Sequence, residues 1–204
     1  MKFQLLRLSS AAMFVAMCGY AVAQDAPQNL QLVGANARLV QTVDTKNASQ
    51  GQAITAKITS NVNVGGTEFP KGTLLVGKVE QVRPSTNDGP AYLSIVFDQA
   101  KLADGKTVPV KATLLGAYPS QDGNYYTDTG SEGALVAGLP TSIPADQKVD
   151  QEPGALGNVE MRSAVQSDAS AVFTSTKRNI NLKNGTELQV AIGPEGAAAT
   201  QSGN

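Results

Sequence analysis

The sequence predicts an all-β protein: a small antiparallel β-barrel or coiled sheet, with a long irregular insertion before a final hairpin. Runs of Val, Ile and Leu alternate with polar residues at the two-residue period of a half-buried strand. Turn signals such as Asp104-Gly105 and Asn184-Gly185 separate these runs. Gly77 in mid-strand indicates a bulge or a close approach of two backbones, which a small barrel needs.

The first 23 residues are typical of a secretory signal peptide. Lys2 and Arg7 precede a short apolar run from Ala11 to Ala16, and Ala21-Val22-Ala23 offers a small-x-small cleavage pattern. Two fates remain open for Cys18, which is either removed with the signal or serves as a lipid-attachment cysteine. We therefore expect export to the periplasm or the extracellular space, with outer-membrane association as an open alternative.

The amino-terminal half supplies the first predicted strands. After a flexible lead over 24–36, residues 37–43 form a first strand and 44–51 a polar loop. Residues 52–64 are predicted as a single strand that a Gly65-Gly66 turn ends. Its apolar positions all share one face: Ile54, Ala56, Ile58, Val62 and Val64.

The stretch 67–83 organises the predicted barrel. Pro70 and Gly72 suit the second and fourth positions of a type I turn. The strand that follows places Leu75, Gly77 and Val79 on one face. A strand over 92–97 and another over 106–115 then form a hairpin around Asp104-Gly105.

The interval 116–168 is rich in glycine and proline and keeps no period, so we predict an irregular insertion. Order is predicted to return at 169, giving a barrel domain built from 37–115 plus 169–193 and a disordered tail over 194–204. An acidic run in the insertion partly resembles a calcium-binding loop. Tyr126, however, occupies a position at which such a loop has a calcium-ligating residue. Its oxygen-bearing residues are Asp122, Asn124, Asp128 and Glu132.

Absent residue types limit the chemistry. The chain has no histidine, and its one cysteine is Cys18. These absences exclude a Ser-His-Asp triad, a Cys-His pair and a His- or Cys-ligated metal centre in the exported protein. Without the signal, 14 of the 16 basic residues and all 17 acidic residues remain, so the net charge is −3 and does not favour nucleic-acid binding. We predict no cofactor, no metal, no catalytic residue and no transmembrane helix after signal removal.

Three stretches carry a resemblance to known proteins: FPKGTLLVGKV, LSIVFDQAKLADGKTVPV and NLKNGTELQV. Their order resembles a group of secreted bacterial proteins of acidobacterial type. More distantly, it is similar to the C-terminal β-barrel of the TrbI family of conjugation and type IV secretion components. The resemblance implies a β-barrel in the bacterial envelope and brings no catalytic residues with it.

The sequence leaves three functions open. The first is a non-catalytic envelope scaffold or protein-interaction module, whose partner is an unknown envelope protein or a second copy of the chain. The second is a carbohydrate- or ligand-binding barrel, with aromatic rings from Tyr92, Tyr118, Tyr125 and Tyr126. The third is a glycoside hydrolase with an acid pair, which would draw on Glu80, Asp98 and Asp104.

Overall fold

The described structure is all-β and its strands pair antiparallel, as the sequence predicts. The computed structural model describes residues 32–87, 89–120, 143–144, 146–151 and 156–194. Within these ranges no helix has the length and apolar character needed to cross a membrane. The strands are β1 Val33–Leu39, β2 Val43–Asp44, β3 Ala53–Ile58, β4 Val62–Val64, β5 Thr67–Phe69, β6 Leu74–Arg83, β7 Ala91–Lys101, β8 Thr107–Tyr118, β9 Lys148–Gln151, β10 Glu160–Ala164, β11 Ala171–Ser175, β12 Asn181–Leu182 and β13 Glu187–Pro194.

Six strands close a barrel. They pair in the order β6, β3, β1, β13, β8 and β7, and β6 also pairs with β7. The alternating apolar side chains predicted from the sequence point into this ring and form one buried cluster. Its central members are Leu39, Ile54, Ala56, Ile58, Leu75, Val79, Leu93, Ile95, Phe97, Ala112, Leu114, Leu188, Val190 and Ile192.

Three further strands leave the ring at β7. The first half of β7 pairs with β11, whereas its last residues, Gln99–Lys101, pair with β8. Ser170 fills the fork between them: its N–H donates to Ile95 O (2.8 Å), its carbonyl accepts from Leu114 N (2.9 Å), and its Oγ accepts from Phe97 N (2.9 Å). Strands β10 and β9 continue outward from β11. The insertion predicted over 116–168 as irregular thus contains the end of β8 and two complete strands.

Short strands cover the two ends of the barrel. The β4–β5 hairpin lies where β1 begins and β13 ends, and its Val62, Val64 and Phe69 are buried in the core cluster. At the opposite end, β2 pairs with β12, where β1 ends and β13 begins. We call this second end the β2–β12 end.

Several predicted boundaries were wrong. The single strand predicted over 52–64 is two strands, because the chain leaves β3 after Ile58 and β4 pairs with β5. Strand β1 starts at Val33, inside the predicted flexible lead, since its register with β13 buries small side chains that show no alternation in the sequence. Around Asn184-Gly185 the chain turns as predicted, but the flanking strands pair with β2 and β1, not with each other.

The turn at Pro70 also differs from the type I prediction. Thr73 N–H donates to Pro70 O (3.0 Å), so Pro70 is the first residue of the turn and Gly72 the third. Gly72 has φ 97°, the positive value that the third position of a type II turn requires. The turn lies where the sequence places it, shifted by one position.

Candidate functional site

A shallow polar groove opens at the β2–β12 end of the barrel. Its volume is about 500 Å³, and it is lined by Gln50, Gln81, Val82, Arg83 and Tyr92. Gln81 and Arg83 project from the same face of β6, because they are two residues apart on one strand. Tyr92 lies directly opposite Arg83 on β7. Two amides, a guanidinium and a phenol therefore line the groove on the outer face of β6, while the half-buried Val82 packs against the core between Gln81 and Arg83.

Arg83 is oriented by the tyrosine ring. Its Cζ lies 5.8 Å from the centroid of the Tyr92 ring, within the range of a cation–π contact. The ion pairs found among the described residues involve Arg38 and Arg162 and none of them involves Arg83. The guanidinium is thus held over the ring with its hydrogen-bonding edge available to another group.

Backbone hydrogen bonds fix the loop that carries Gln50. Gly51 N–H donates to Val79 O (2.8 Å), and Val79 N–H donates to Gln52 O (2.9 Å), which attaches the loop to β6 on both sides of Gly51. Gly51 has φ 81°, a conformation that L side chains rarely adopt. The amide of Gln50 is therefore carried beside Gln81 by an anchored turn.

One asparagine ties together the two loops around this end. The Oδ1 atom of Asn179 accepts hydrogen bonds from the backbone N–H of Ser85 (2.8 Å) and from the hydroxyl of Thr45 (3.3 Å). Ile180 N–H donates to the same Thr45 hydroxyl (3.0 Å). These bonds join the 44–52 loop, the β6–β7 loop and the segment before β12, so the walls of the groove are cross-linked.

The three acids considered for hydrolysis lie apart in the fold. Glu80 and Asp98 are each the extra residue of a β-bulge, on β6 and on β7 respectively. Glu80 accepts a hydrogen bond from Ser94 Oγ (2.8 Å), and Ser94 is four residues from Asp98, roughly 13 Å along an extended strand. Asp104 accepts from Lys106 N–H (2.9 Å) in the β7–β8 turn. This spacing does not provide the pair about 5–9.5 Å apart that glycoside hydrolysis uses.

The tyrosines predicted as ligand contacts do not form one surface in the described structure. Tyr92 lines the groove, but β11 lies between it and the end of β8, where Tyr118 is found. A Cβ atom added to Gly116 would lie 2.9 Å from the Tyr118 ring, so this ring folds back on its own strand. Tyr125, Tyr126 and the acidic run considered for calcium lie outside the described residues, as does Cys18. Within the described ranges, no group of three or more acidic or thiol side chains could hold a metal ion.

A second surface is the outer edge of β9. Val165 N–H donates to Gln147 O (3.0 Å), so the backbone of Gln147 faces β10. Every second residue of an antiparallel strand faces the same neighbour, so the backbone groups of Val149 and Gln151 also point towards β10. The backbone groups of Lys148 and Asp150 point away from β10. In the described part of the chain no strand pairs with this side of β9. Sequence reasoning missed the edge because β9 has only four residues and lies in a segment rich in glycine and proline.

Comparison with known proteins gives a distant likeness. No protein-family model matches the chain, and no curated protein matches it. Among solved structures, the chain is similar to ComB10 of the Com type IV secretion system of Helicobacter pylori. The identity is 10%, the match covers 79% of this chain and 85% of that chain, and the TM-score is 0.38. At this TM-score the fold rests on the strand pairing of this protein itself.

Proposed function

We propose that this protein is an exported, non-catalytic β-barrel domain that serves as a scaffold or protein-interaction module in the bacterial envelope. The observation that carries the proposal is the outer edge of β9, with which no strand in the described part of the chain pairs; its Lys148 O accepts only from the side chain of Gln147 (2.9 Å). An exposed edge can add a strand from another chain, with main-chain hydrogen bonds supplying affinity.

Residue chemistry supports the same proposal. The chain has no histidine, its one cysteine lies in the predicted signal peptide, and the acids considered for hydrolysis, Glu80, Asp98 and Asp104, lie in two bulges and a turn. The partner strand would align with Lys148 and Asp150, whose side chains are exposed and carry opposite charges. A partner edge with alternating acidic and basic residues would complement them.

The decisive variant is Asp150→Pro. Proline removes the outward N–H of residue 150 and leaves the ladder between β9 and β10 intact, because residue 150 makes no hydrogen bond to β10. We expect the wild-type chain to capture a reproducible partner from envelope extract, or to self-associate in analytical ultracentrifugation. We expect the affinity of the proline variant for that partner, or for a second copy, to fall by about tenfold or more.

Asp150→Ala is the matched control. It removes the same carboxylate and the exposed 3.2 Å ion pair with Arg162, but keeps the backbone N–H. We expect it to retain the partner, and both variants to keep the wild-type circular dichroism spectrum. Equal binding by the wild-type and proline chains, or no reproducible association at all, would contradict the proposal.

A further inference from the structure

The groove at the β2–β12 end offers polar side chains, whereas strand pairing at an edge uses backbone groups. All four of its polar side chains can donate a hydrogen bond, and none carries a negative charge. The two glutamine amides both donate and accept, which matches the hydroxyl groups of a sugar, since these also do both. The volume of about 500 Å³ falls within the range of about 300–1,000 Å³ usual for small-molecule sites.

Arg83 favours a ligand that carries a negative charge. A guanidinium held over an aromatic ring keeps its planar set of N–H donors, which fits a carboxylate through two parallel hydrogen bonds. No ion pair in the described part of the chain involves Arg83, so its N–H donors are open to an added carboxylate. A metal cation is disfavoured, since no carboxylate lines the groove.

The surroundings of the groove reduce the cost of binding. Gly51 and Gln52 anchor one wall to Val79, and Asn179 cross-links the neighbouring loops. A site that is already ordered loses less conformational entropy when a ligand binds. The backbone of Tyr92 is held between β6 and β11 by its pairs with Arg83 and Thr174, so the base of its side chain is fixed before a ligand binds.

We propose that this groove binds an acidic oligosaccharide, with Arg83 contacting a sugar carboxylate and the amides of Gln50 and Gln81 contacting hydroxyl groups. The binding goes beyond the role of the β9 edge and uses a different part of the molecule. It requires no covalent step, and the sugar leaves unchanged.

The probe is trigalacturonic acid, compared with its methyl ester, which keeps the sugar rings and removes the charges. We expect the acid to shift the backbone amide resonances of residues 50, 81, 83 and 92 in an NMR titration of the full chain. The ester should bind about tenfold more weakly, because a hydrogen bond to a charged group is lost. Added salt should weaken binding of the acid more than binding of the ester.

Arg83→Met tests the assignment, and Arg162→Met is its matched control on an exposed strand. The first variant should lose the preference for the acid and the second should keep it. Arg83→Lys retains the charge without the planar fork and should fall between them. The proposal is overturned if neither sugar binds, if the shifts map away from the groove, or if Arg83→Met binds the acid as the wild type does. Failure here leaves the β9 test untouched, since that test measures protein association.

Discussion

Gly77 is the residue on which closure of the barrel depends most directly. A Cβ atom at this position would overlap Val96 O and lie 2.7 Å from Phe97 Cα. The register between β6 and β7 shifts between Val76 and Gly77, so the close approach occurs at a bulge. The prediction made from a mid-strand glycine is confirmed, and its cause is steric, because Gly77 does not need a positive φ.

Gly77→Ala is expected to destabilise the protein by about 3 kcal/mol or more, since β6 and β7 must separate to admit the methyl group. The free energy of unfolding from urea titration measures the effect. Gly89→Ala is the matched control, because nothing lies within 4 Å of its added Cβ, and it should change stability by less than about 0.5 kcal/mol. Equal effects for the two variants would show that the backbones do not approach closely at Gly77.

Charged pairs on neighbouring strands differ in their surroundings. Arg38 and Glu187 face each other across β1 and β13, with Nε to Oε1 at 2.8 Å, and the glutamate side chain is only 9% exposed. Arg162 and Asp150 also face each other, but both side chains are mostly exposed. Because solvent screens the second pair, it contributes little to stability, which is why Asp150 and Arg162 are suitable sites for control substitutions.

At the scale of elements, one side chain makes hydrogen bonds to a strand edge that a neighbouring strand would otherwise make. The amide of Gln151 on β9 donates to Ala117 O and accepts from Ala117 N–H, both at 2.9 Å. Nearby, Ser163 Oγ on β10 donates to Leu114 O. Strand β8 pairs with β13 over Val110–Tyr118, but with β7 only over Thr107–Pro109. Side chains from β9 and β10 therefore satisfy the edge of β8 where β7 has turned away.

Gln151→Met should remove both hydrogen bonds and leave the fully buried Ala117 without them. We expect faster hydrogen exchange at the Ala117 amide and a loss of about 1–3 kcal/mol of stability. Gln151→Glu can still accept from the Ala117 N–H but cannot donate to its carbonyl, so exchange should stay slower than in the methionine variant. Gln147→Met is the control, since its amide donates only to the exposed Lys148 O. Unchanged exchange at Ala117 in Gln151→Met would refute this role.

At the scale of the whole molecule, the barrel and the three outer strands share one hydrophobic core. Met161 on β10 and Phe173 on β11 pair with each other and belong to the same buried cluster as Leu93 and Leu114 of the ring. A continuous core is expected to unfold cooperatively, because neither part can lose its packing alone.

Met161→Ala should therefore cost about 2–5 kcal/mol and lower a single unfolding transition. Calorimetry and hydrogen exchange in β1 and β3 should report the same loss. Met161→Leu keeps the volume and should cost less than about 1.5 kcal/mol. If the alanine variant loses protection only in β9 to β11, the outer strands are a separate folding unit.

The sequence predicted best where local chemistry decides the outcome. Alternation identified the buried faces of β3, β6 and β7, and Asp104-Gly105 marked the β7–β8 turn, where Gly105 has φ 86°. It predicted least where pairing comes from distant segments. The groove joins a loop before β3 to the β6–β7 pair, and of its lining residues only Tyr92 is predicted from the sequence as a ligand contact.

By itself, the sequence determined the strand class, the faces that are buried, the places of the turns and the absence of histidine chemistry. These follow from the period of the side chains and from the backbone preferences of glycine and proline. Only the tertiary structure decided that β1 and β13 pair, that β7 forks around Ser170, and that β9 is the last strand of the described sheet. These pairings depend on the register between segments far apart in the chain. The two-residue period of a strand does not determine which other strand it pairs with.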